Sequence, residues 1–169
     1  LDPSTLIVSG LATIDWYERL DQNWALLAGV DSLDVTGLKT HDPVADEWAE
    51  LRGRIQAIEF SYPKESVEVD PNSAKFQLLI SSLRRANQLS LQLTASPVKL
   101  DIVGYTDETG TVRLNEQIGL QRAEQLKQLL VTHGVGPGQM RTFSGLRYED
   151  APINMRKTRI VILTDQGIR

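Results

Sequence analysis

Residues 98–134 read VKLDIVGYTDETGTVRLNEQIGLQRAEQLKQLLVTHG, and this stretch decides the fold. Its beginning predicts a strand, because apolar and charged residues alternate over residues 98–102. A polar loop follows, and Asn115 is predicted to cap the next helix, since its side-chain oxygen can accept a first-turn amide. Gly134 is predicted to end that helix, because glycine tolerates the left-handed turn there. The stretch therefore predicts a strand, a polar loop and a helix in succession.

Two charged residues of this stretch are candidates for a binding site. Asp107 lies in the loop after the predicted strand, and Arg122 lies about two turns into the helix. A helix that packs back over its strand brings its early turns near that loop. The pair suits a zwitterion, because a carboxylate can bind an ammonium and a guanidinium can bind a carboxylate with two hydrogen bonds. The simpler alternative is a surface salt bridge between the two, which contributes little to stability.

The residues around this pair form a motif. The run G-Y-T-D-x-x-G over residues 104–110, followed by Asn115 and then Arg122–Ala123, resembles the OmpA-like peptidoglycan-binding domain. The resemblance covers roughly residues 55–164. It implies an OmpA-like fold and a ligand in the bacterial cell wall, the diaminopimelate of the peptidoglycan stem peptide.

The resemblance also implies a role for each matching residue. Asp107 would bind the ammonium of diaminopimelate, and Arg122 would bind its carboxylate. Thr106 and Asn115 would shape the loop or add hydrogen bonds. Arg159 remains from the family's closing Asn-Arg-Arg-Val, and we include it among the predicted peptidoglycan-binding residues.

The chain departs from the family pattern at three places. The family's Leu-Ser after the asparagine is Ile118–Gly119 here, and its closing motif is Lys157–Thr158–Arg159–Ile160. The loop of residues 148–156 is also short. These departures leave open a second hypothesis, in which the fold is kept and the wall ligand is lost.

Composition narrows the possible functions. The 169 residues have 41% hydrophobic and 24% charged residues, as in an ordinary globular protein. The net charge of −4 and the lack of a basic run disfavour nucleic-acid binding. No apolar run is long enough for a membrane span, and no signal peptide is visible. The chain opens at Leu1 without a start methionine, so we expect it to be a piece of a longer protein.

Several kinds of chemistry are disfavoured by the residues themselves. The chain has no cysteine, which excludes disulfides and thiolate sites. Its two histidines, His41 and His133, have no metal-ligand spacing, and we predict neither a metal nor a cofactor. The glycines of the loop are not followed by G-K-[ST], which excludes a phosphate-binding loop of that type. Asp107 and Glu108 are neighbours, but no nucleophile–base set is evident, and we predict that the chain is not an enzyme.

The first forty residues predict a small unit of their own. Residues 4–12 and 32–38 read as strands, and residues 15–28 read as a helix. Trp16 and Trp24 recur at helical spacing, and we expect them to be buried together against the two strands. This unit resembles part of a BON domain, a bacterial envelope module, and would contact an envelope partner or position the rest of the chain.

The remaining residues predict a larger α/β unit. A helix over residues 44–54 connects the two units, so the predicted division is 1–40, 41–54 and 55–169. Asp70 is predicted to cap a helix that has Pro71 at its first position. Residues 158–164 contain consecutive apolar residues, as in a strand buried on both faces. From residue 55 the order is β-α-β-α-β-β, which indicates an α/β (α+β) sandwich with both helices on one face of a mixed sheet.

The resemblance and the patterns lead to one functional hypothesis and one alternative. The first is a non-catalytic peptidoglycan-binding module in the periplasm of a diderm bacterium, within a larger outer-membrane or envelope-anchored protein. Its partner would be the peptidoglycan stem peptide. The alternative is an OmpA-like envelope interaction or assembly module that no longer binds the wall.

Overall fold

The structure is a computed structural model that divides into two units between Glu47 and Trp48. The residues it describes are 4–64, 66–148 and 155–163. The division predicted from sequence, 1–40, 41–54 and 55–169, stays a prediction. One helix, α2 (Pro43–Gln56), begins in the first unit and continues into the second.

The first unit contains two strands and one helix. Strand β1 (Thr5–Thr13) pairs in parallel with β2 (Ser32–His41), and α1 (Ile14–Asn23) connects them. The hydroxyl of Thr13 caps α1 by accepting the amide of Trp16. The predicted strand–helix–strand order is therefore present, although the helix is shorter than the 15–28 expected, because a 3₁₀ turn (Trp24–Leu26) follows it.

The two tryptophans of this unit are not buried together. Trp16 is 44% exposed, and Trp24 is only half-buried. None of the described residues from 4 to 47 is fully buried. The prediction was wrong because two strands and one short helix provide too few neighbours to cover an indole.

The second unit builds the larger core. The end of α2 contributes the buried residues Trp48, Leu51 and Ile55. The order of the remaining elements confirms the predicted β-α-β-α-β-β and adds a 3₁₀ turn (Pro137–Gln139) before β5 and one short helix, α5, after it. These elements are β3 (Glu59–Ser61), α3 (Ala74–Thr94), β4 (Lys99–Gly104), α4 (Val112–Thr132), β5 (Met140–Ser144), α5 (Gly145–Tyr148) and β6 (Lys157–Leu163).

The four strands of this unit form the predicted mixed sheet. Their order is β3-β6-β4-β5, with β4 parallel to β5 and antiparallel to β6. Strand β4 is therefore central, and its residues from Leu100 to Gly104 are all buried. From Thr158 onward, strand β6 instead alternates buried and half-buried residues, with Ile160 and Ile162 buried. The expectation of burial on both faces was wrong, because Arg159, Val161 and Leu163, on the face opposite the helices, are only half-buried.

The positions of the two long helices follow from the strand register. Phe60, Thr158 and Gly104 lie opposite one another on adjacent strands, so they share a face. Phe60 contacts Phe76 of α3, with the ring centroids 6.4 Å apart. Gly104 meets α4 at Gly119. Both helices therefore pack on the same face of the sheet, as predicted.

Both helices begin at residues other than those predicted. Ser73, rather than Asp70, caps α3 by accepting the amide of Phe76. Thr111, rather than Asn115, caps α4 by accepting the amide of Leu114. The sequence offers several polar side chains near the start of each helix. Helix α3 begins later than predicted and is capped by Ser73, whereas α4 begins one turn earlier than predicted, so that Asn115 lies inside the helix.

The contact between β4 and α4 is unusually close. A Cβ added to Gly119 would lie 2.6 Å from the carbonyl oxygen of Gly104 and 3.0 Å from Ser144 Oγ. Only glycine fits this backbone approach without a shift of the helix. Packing therefore accounts for Gly119 in the Ile118–Gly119 departure from the family pattern, and it fixes α4 against the end of β4.

Candidate functional site

A cavity of about 200 Å³ lies where β4 ends and α4 begins. It is formed by the loop between these elements, the first turns of α4 and the residues just before β6. Four of the five predicted site residues line it, and Arg159 does not. The lining residues are Lys64, Thr106, Asp107, Thr109, Gly110, Leu114, Asn115, Ile118, Arg122 and Arg156.

Arg122 is held rigidly at the inner side of this cavity. It is 1% exposed. Its Nε donates to the carbonyl oxygen of Ser66 at 2.9 Å, and its Nη1 donates to that of Tyr105 at 2.7 Å. The guanidinium carbon lies 4.7 Å from the centre of the Tyr62 ring, a cation–π contact. Two backbone carbonyls and one aromatic face thus fix the plane of the guanidinium.

The charge of Arg122 is affected by its surroundings. Burial lowers the pKa of Arg122 from its ordinary value, and the charge of Arg156 acts in the same direction. The groups of Tyr62 and Asp107 oppose that decrease. Because a guanidinium does not deprotonate in proteins, Arg122 remains a cation that is poorly solvated. Such a cation is suited to an anionic ligand.

Asp107 lies in the loop that follows β4 and is half-buried. Its Oδ1 accepts a hydrogen bond from the Thr109 hydroxyl at 2.7 Å, and its Oδ2 lies 3.5 Å from Arg156 Nε. The hydrogen bond from Thr109 is the main cause that lowers the pKa of Asp107, and the charge of Arg156 lowers it further. Asp107 is therefore a carboxylate at neutral pH. Its ion-pair partner is Arg156, so the simple surface salt bridge with Arg122 does not describe this arrangement.

Asn115 stabilises the loop that presents Asp107. It is buried, and its Nδ2 donates to the carbonyl oxygen of Asp107 at 3.1 Å. This bond explains why Asn115 does not cap α4, since its side chain is directed to the loop. Thr106 is half-buried beside Asp107 in the cavity wall.

Arg159 lies outside the cavity, in β6. Its Nε donates to the hydroxyl of Tyr105 at 2.8 Å, and its guanidinium carbon lies 5.5 Å from the centre of that ring. Tyr105 in turn accepts the bond from Arg122 through its carbonyl oxygen. The structure therefore places Arg159 behind the residue that positions Arg122, and it does not bring Arg159 together with the other four.

Sequence reasoning missed two cations of the cavity, Lys64 and Arg156. Lys64 follows β3 and lies outside the motif that carries the resemblance. Arg156 stands immediately before the closing motif at Lys157, at the end of the loop of residues 148–156. Its position beside that motif was the available signal.

Within the part of the chain that the structure describes, no group of His, Cys, Asp and Glu side chains could hold a metal ion. The described helices include none that is long and apolar enough to cross a membrane.

Comparison with known proteins finds one curated lipoprotein that is similar to part of this chain. No family model matches the chain. The probable lipoprotein YiaD of Escherichia coli (strain K12) is 32% identical over 78 residues, which cover 43% of this chain and 36% of that protein. The chain thus spans little more than a third of the length of this curated relative.

The chain is also similar to solved structures. The peptidoglycan-associated lipoprotein from Burkholderia pseudomallei is 25% identical, with a TM-score of 0.47, over 62% of this chain and 89% of that one. The C-terminal domain of Helicobacter pylori MotB is 20% identical, with a TM-score of 0.45, over 65% and 87%. The OmpA-like domain of FopA1 from Francisella tularensis subsp. tularensis SCHU S4 is 16% identical, with a TM-score of 0.43, over 62% and 70%.

The BON-like resemblance of the first forty residues stays a prediction. In the second unit, the motif over residues 104–123 and the β-α-β-α-β-β order over a mixed sheet both agree with the OmpA-like pattern. This unit is OmpA-like in its fold.

Proposed function

We propose that this chain is a non-catalytic peptidoglycan-binding module that recognises the diaminopimelate of the stem peptide. The observation that supports this function best is that an ionised Asp107 and a buried, immobilised Arg122 line the same cavity. Diaminopimelate presents an ammonium and a carboxylate on one carbon, so it offers a group of opposite charge to each of the two residues. The similarity to a peptidoglycan-associated lipoprotein agrees with this class of ligand.

The geometry suggests how each residue would act. A guanidinium has five N–H donors, and the bonds to Ser66 and Tyr105 use two of them. A ligand carboxylate would accept further bonds from Arg122, whose orientation is already fixed and so costs little entropy on binding. The Thr109 hydroxyl orients Asp107, which would accept the ligand's ammonium.

A binding role fits this lining better than a catalytic one. The described lining residues include one carboxylate, Asp107, and no histidine. Hydrolysis of a glycan or peptide bond would use a second acid–base group or a nucleophile with its base. We propose a place in the periplasm for the module, as part of a larger envelope-anchored protein.

One observation supports the alternative, an OmpA-like interaction or assembly module that no longer binds the wall. Arg156 lies 3.5 Å from Asp107, in the position where a ligand ammonium would be expected. If that pair persisted in the presence of peptidoglycan, Asp107 would have no role in binding.

The test is co-sedimentation of the purified chain with intact peptidoglycan sacculi. We expect the wild type to sediment with sacculi, and Asp107→Asn and Arg122→Lys to lose affinity by roughly 30-fold or more, since removal of one partner of a desolvated charge contact costs about 2 kcal/mol or more. Arg122→Lys is chosen because an ammonium cannot reproduce the planar guanidinium contact. Arg113→Lys, at an exposed position of α4 outside the cavity, and Asp21→Asn, exposed on α1, are the matched controls.

Folding has to be followed in parallel. Asp107 is half-buried, so Asp107→Asn should keep the fold and is the decisive variant. Arg122 is buried and holds two backbone carbonyls, so circular dichroism must show that Arg122→Lys is folded. Binding of both folded variants at the level of the controls would exclude this site. Failure of the wild type itself to bind would leave the alternative in its place.

A further inference from the structure

The cavity has more positive than negative charge on its walls. Among its described lining residues, Lys64, Arg122 and Arg156 are cations and Asp107 is the anion, which gives a net charge of +2. A ligand with one ammonium and one carboxylate leaves this excess unchanged. A ligand with further carboxylates lowers the excess of positive charge. The resulting electrostatic stabilisation of the complex is larger where water is partly excluded.

The arginines of this cavity are held very differently. Arg122 is buried, with two bonds to backbone carbonyls. Arg156 has a side chain that is 39% exposed and a contact with Asp107 of 3.5 Å, longer than the distance typical of a charge-assisted hydrogen bond. An ion pair of this exposure contributes little stability. Arg156 can therefore change partners at small cost, whereas Arg122 cannot.

We infer that Arg156 changes partners when the stem peptide binds. The ligand's ammonium replaces the Arg156 guanidinium at Asp107, and Arg156 turns to a second carboxylate of the same ligand. Arg122 holds the first carboxylate throughout. This inference rests on the proposed function and specifies its ligand class, which is stem peptides whose carboxylates are free rather than amidated.

Amidation provides a sharp probe of this exchange. It converts a carboxylate into a neutral carboxamide of nearly the same shape, so it removes charge without removing volume. The stem peptide L-Ala-γ-D-Glu-meso-diaminopimelate can be amidated either at the D-Glu α-carboxylate or at a diaminopimelate carboxylate. One amidation removes the partner of Arg156, and a different one removes the partner of Arg122.

The experiment is isothermal titration calorimetry of the whole chain with the free peptide and with each monoamidated form. For the wild type we expect two different amidations each to lower affinity about tenfold, equivalent to about 1.4 kcal/mol. For one of these two amidated forms, Arg156→Gln should bind the free peptide about as weakly as the wild type binds that form, and should no longer distinguish that form from the free peptide. Arg147→Gln is the matched control, because Arg147 also pairs with a carboxylate, Glu116, but lies outside the cavity lining.

The outcomes separate this inference from the function on which it rests. If Arg156→Gln keeps every discrimination of the wild type, the exchange is wrong and the binding function stands. If the wild type binds all the peptides equally, the exchange is wrong, and so is the carboxylate contact proposed for Arg122. Tighter binding by Arg156→Gln with unchanged discrimination would show that Arg156 only competes for Asp107, and this also overturns the inference. If the wild type binds neither the peptides nor sacculi, both the inference and the proposed function fail.

Discussion

Helices α1 and α4 both have an apolar stripe, yet α1 has no buried residue and α4 has six. Helix α1 belongs to a unit with two strands, whereas α4 packs against the three strands β4, β5 and β6. The periodicity of a helix indicates which side faces its neighbours. The number of neighbouring strands determines how much of that side is covered, and a helical stripe alone does not reveal this number.

The two units also differ in charge. Residues 1–47 contain nine acidic and two basic residues, a net charge of −7. Residues 48–169 contain thirteen acidic and sixteen basic residues, a net charge of +3. The total of −4 conceals this asymmetry. The cavity lies in the positively charged unit, which agrees with the anionic ligand that we propose.

The largest difference between the units is expected from truncation of one leucine in each. Leu126 of α4 is 0% exposed, so Leu126→Ala should lower the free energy of unfolding by about 2–5 kcal/mol through lost burial and a cavity. Leu26 of the first unit is 80% exposed, and Leu26→Ala should change the free energy of unfolding by less than about 0.5 kcal/mol.

Urea denaturation followed by circular dichroism measures both effects, and amide hydrogen exchange assigns each loss to a unit. A large loss for Leu26→Ala would contradict the comparison, because it would mean that Leu26 is covered in solution.

A smaller effect on stability is expected when a helical glycine is replaced by alanine, and its sign should differ between Gly119 and Gly53. Gly119→Ala in α4 places a Cβ 2.6 Å from the carbonyl oxygen of Gly104, and it should destabilise the second unit by about 1–3 kcal/mol. Gly53→Ala in α2 meets nothing within 4 Å and should stabilise the chain by about 0.5–1 kcal/mol, because alanine favours helix.

Thermal denaturation of these two variants beside the wild type provides the measurement. Equal and positive shifts of Tm would show that α4 can move away from β4 without cost. The packing account of Gly119 would then be wrong.

Much of the fold was predictable because its signals are local. Alternation over residues 98–102 indicated β4, and the element order indicated the mixed sheet. The helix starts were mispredicted because several side chains can cap a helix, and Asp70 and Asn115 compete with Ser73 and Thr111. Burial of Trp16 was mispredicted because it depends on neighbours that are distant in sequence.

The candidate site was predictable to the extent that one motif contains it. Thr106, Asp107, Asn115 and Arg122 all fall within a single strand–loop–helix, and they line one cavity. Lys64 and Arg156 come from segments on either side, and only the folded sheet brings them to the same cavity. Their charges, which determine the excess of positive charge, could not be placed from the sequence alone.

The smallest expected effects concern two carboxylates, one in each unit. The pKa of Asp107 is lowered mainly by the side-chain hydrogen bond from Thr109. The pKa of Asp34 is lowered first by a backbone hydrogen bond from Thr36 and then by the Thr36 hydroxyl. The pKa values of the two carboxylates therefore depend to different degrees on a threonine hydroxyl.

Thr109→Val removes the main cause at Asp107 and should raise its pKa clearly, whereas Thr36→Val keeps the backbone bond and should raise the pKa of Asp34 less. Because both pKa values are lowered in the folded chain, these carboxylates stabilise it above their ordinary pKa, and this contribution is lost as pH falls through the lowered values. Thr109→Val should therefore narrow the stability difference between neutral pH and about pH 3. Nuclear magnetic resonance titration of the side-chain carboxyl carbons measures each pKa. An unchanged pKa of Asp107 in Thr109→Val would show that Arg156, at 3.5 Å, is instead the main cause of the lowered pKa.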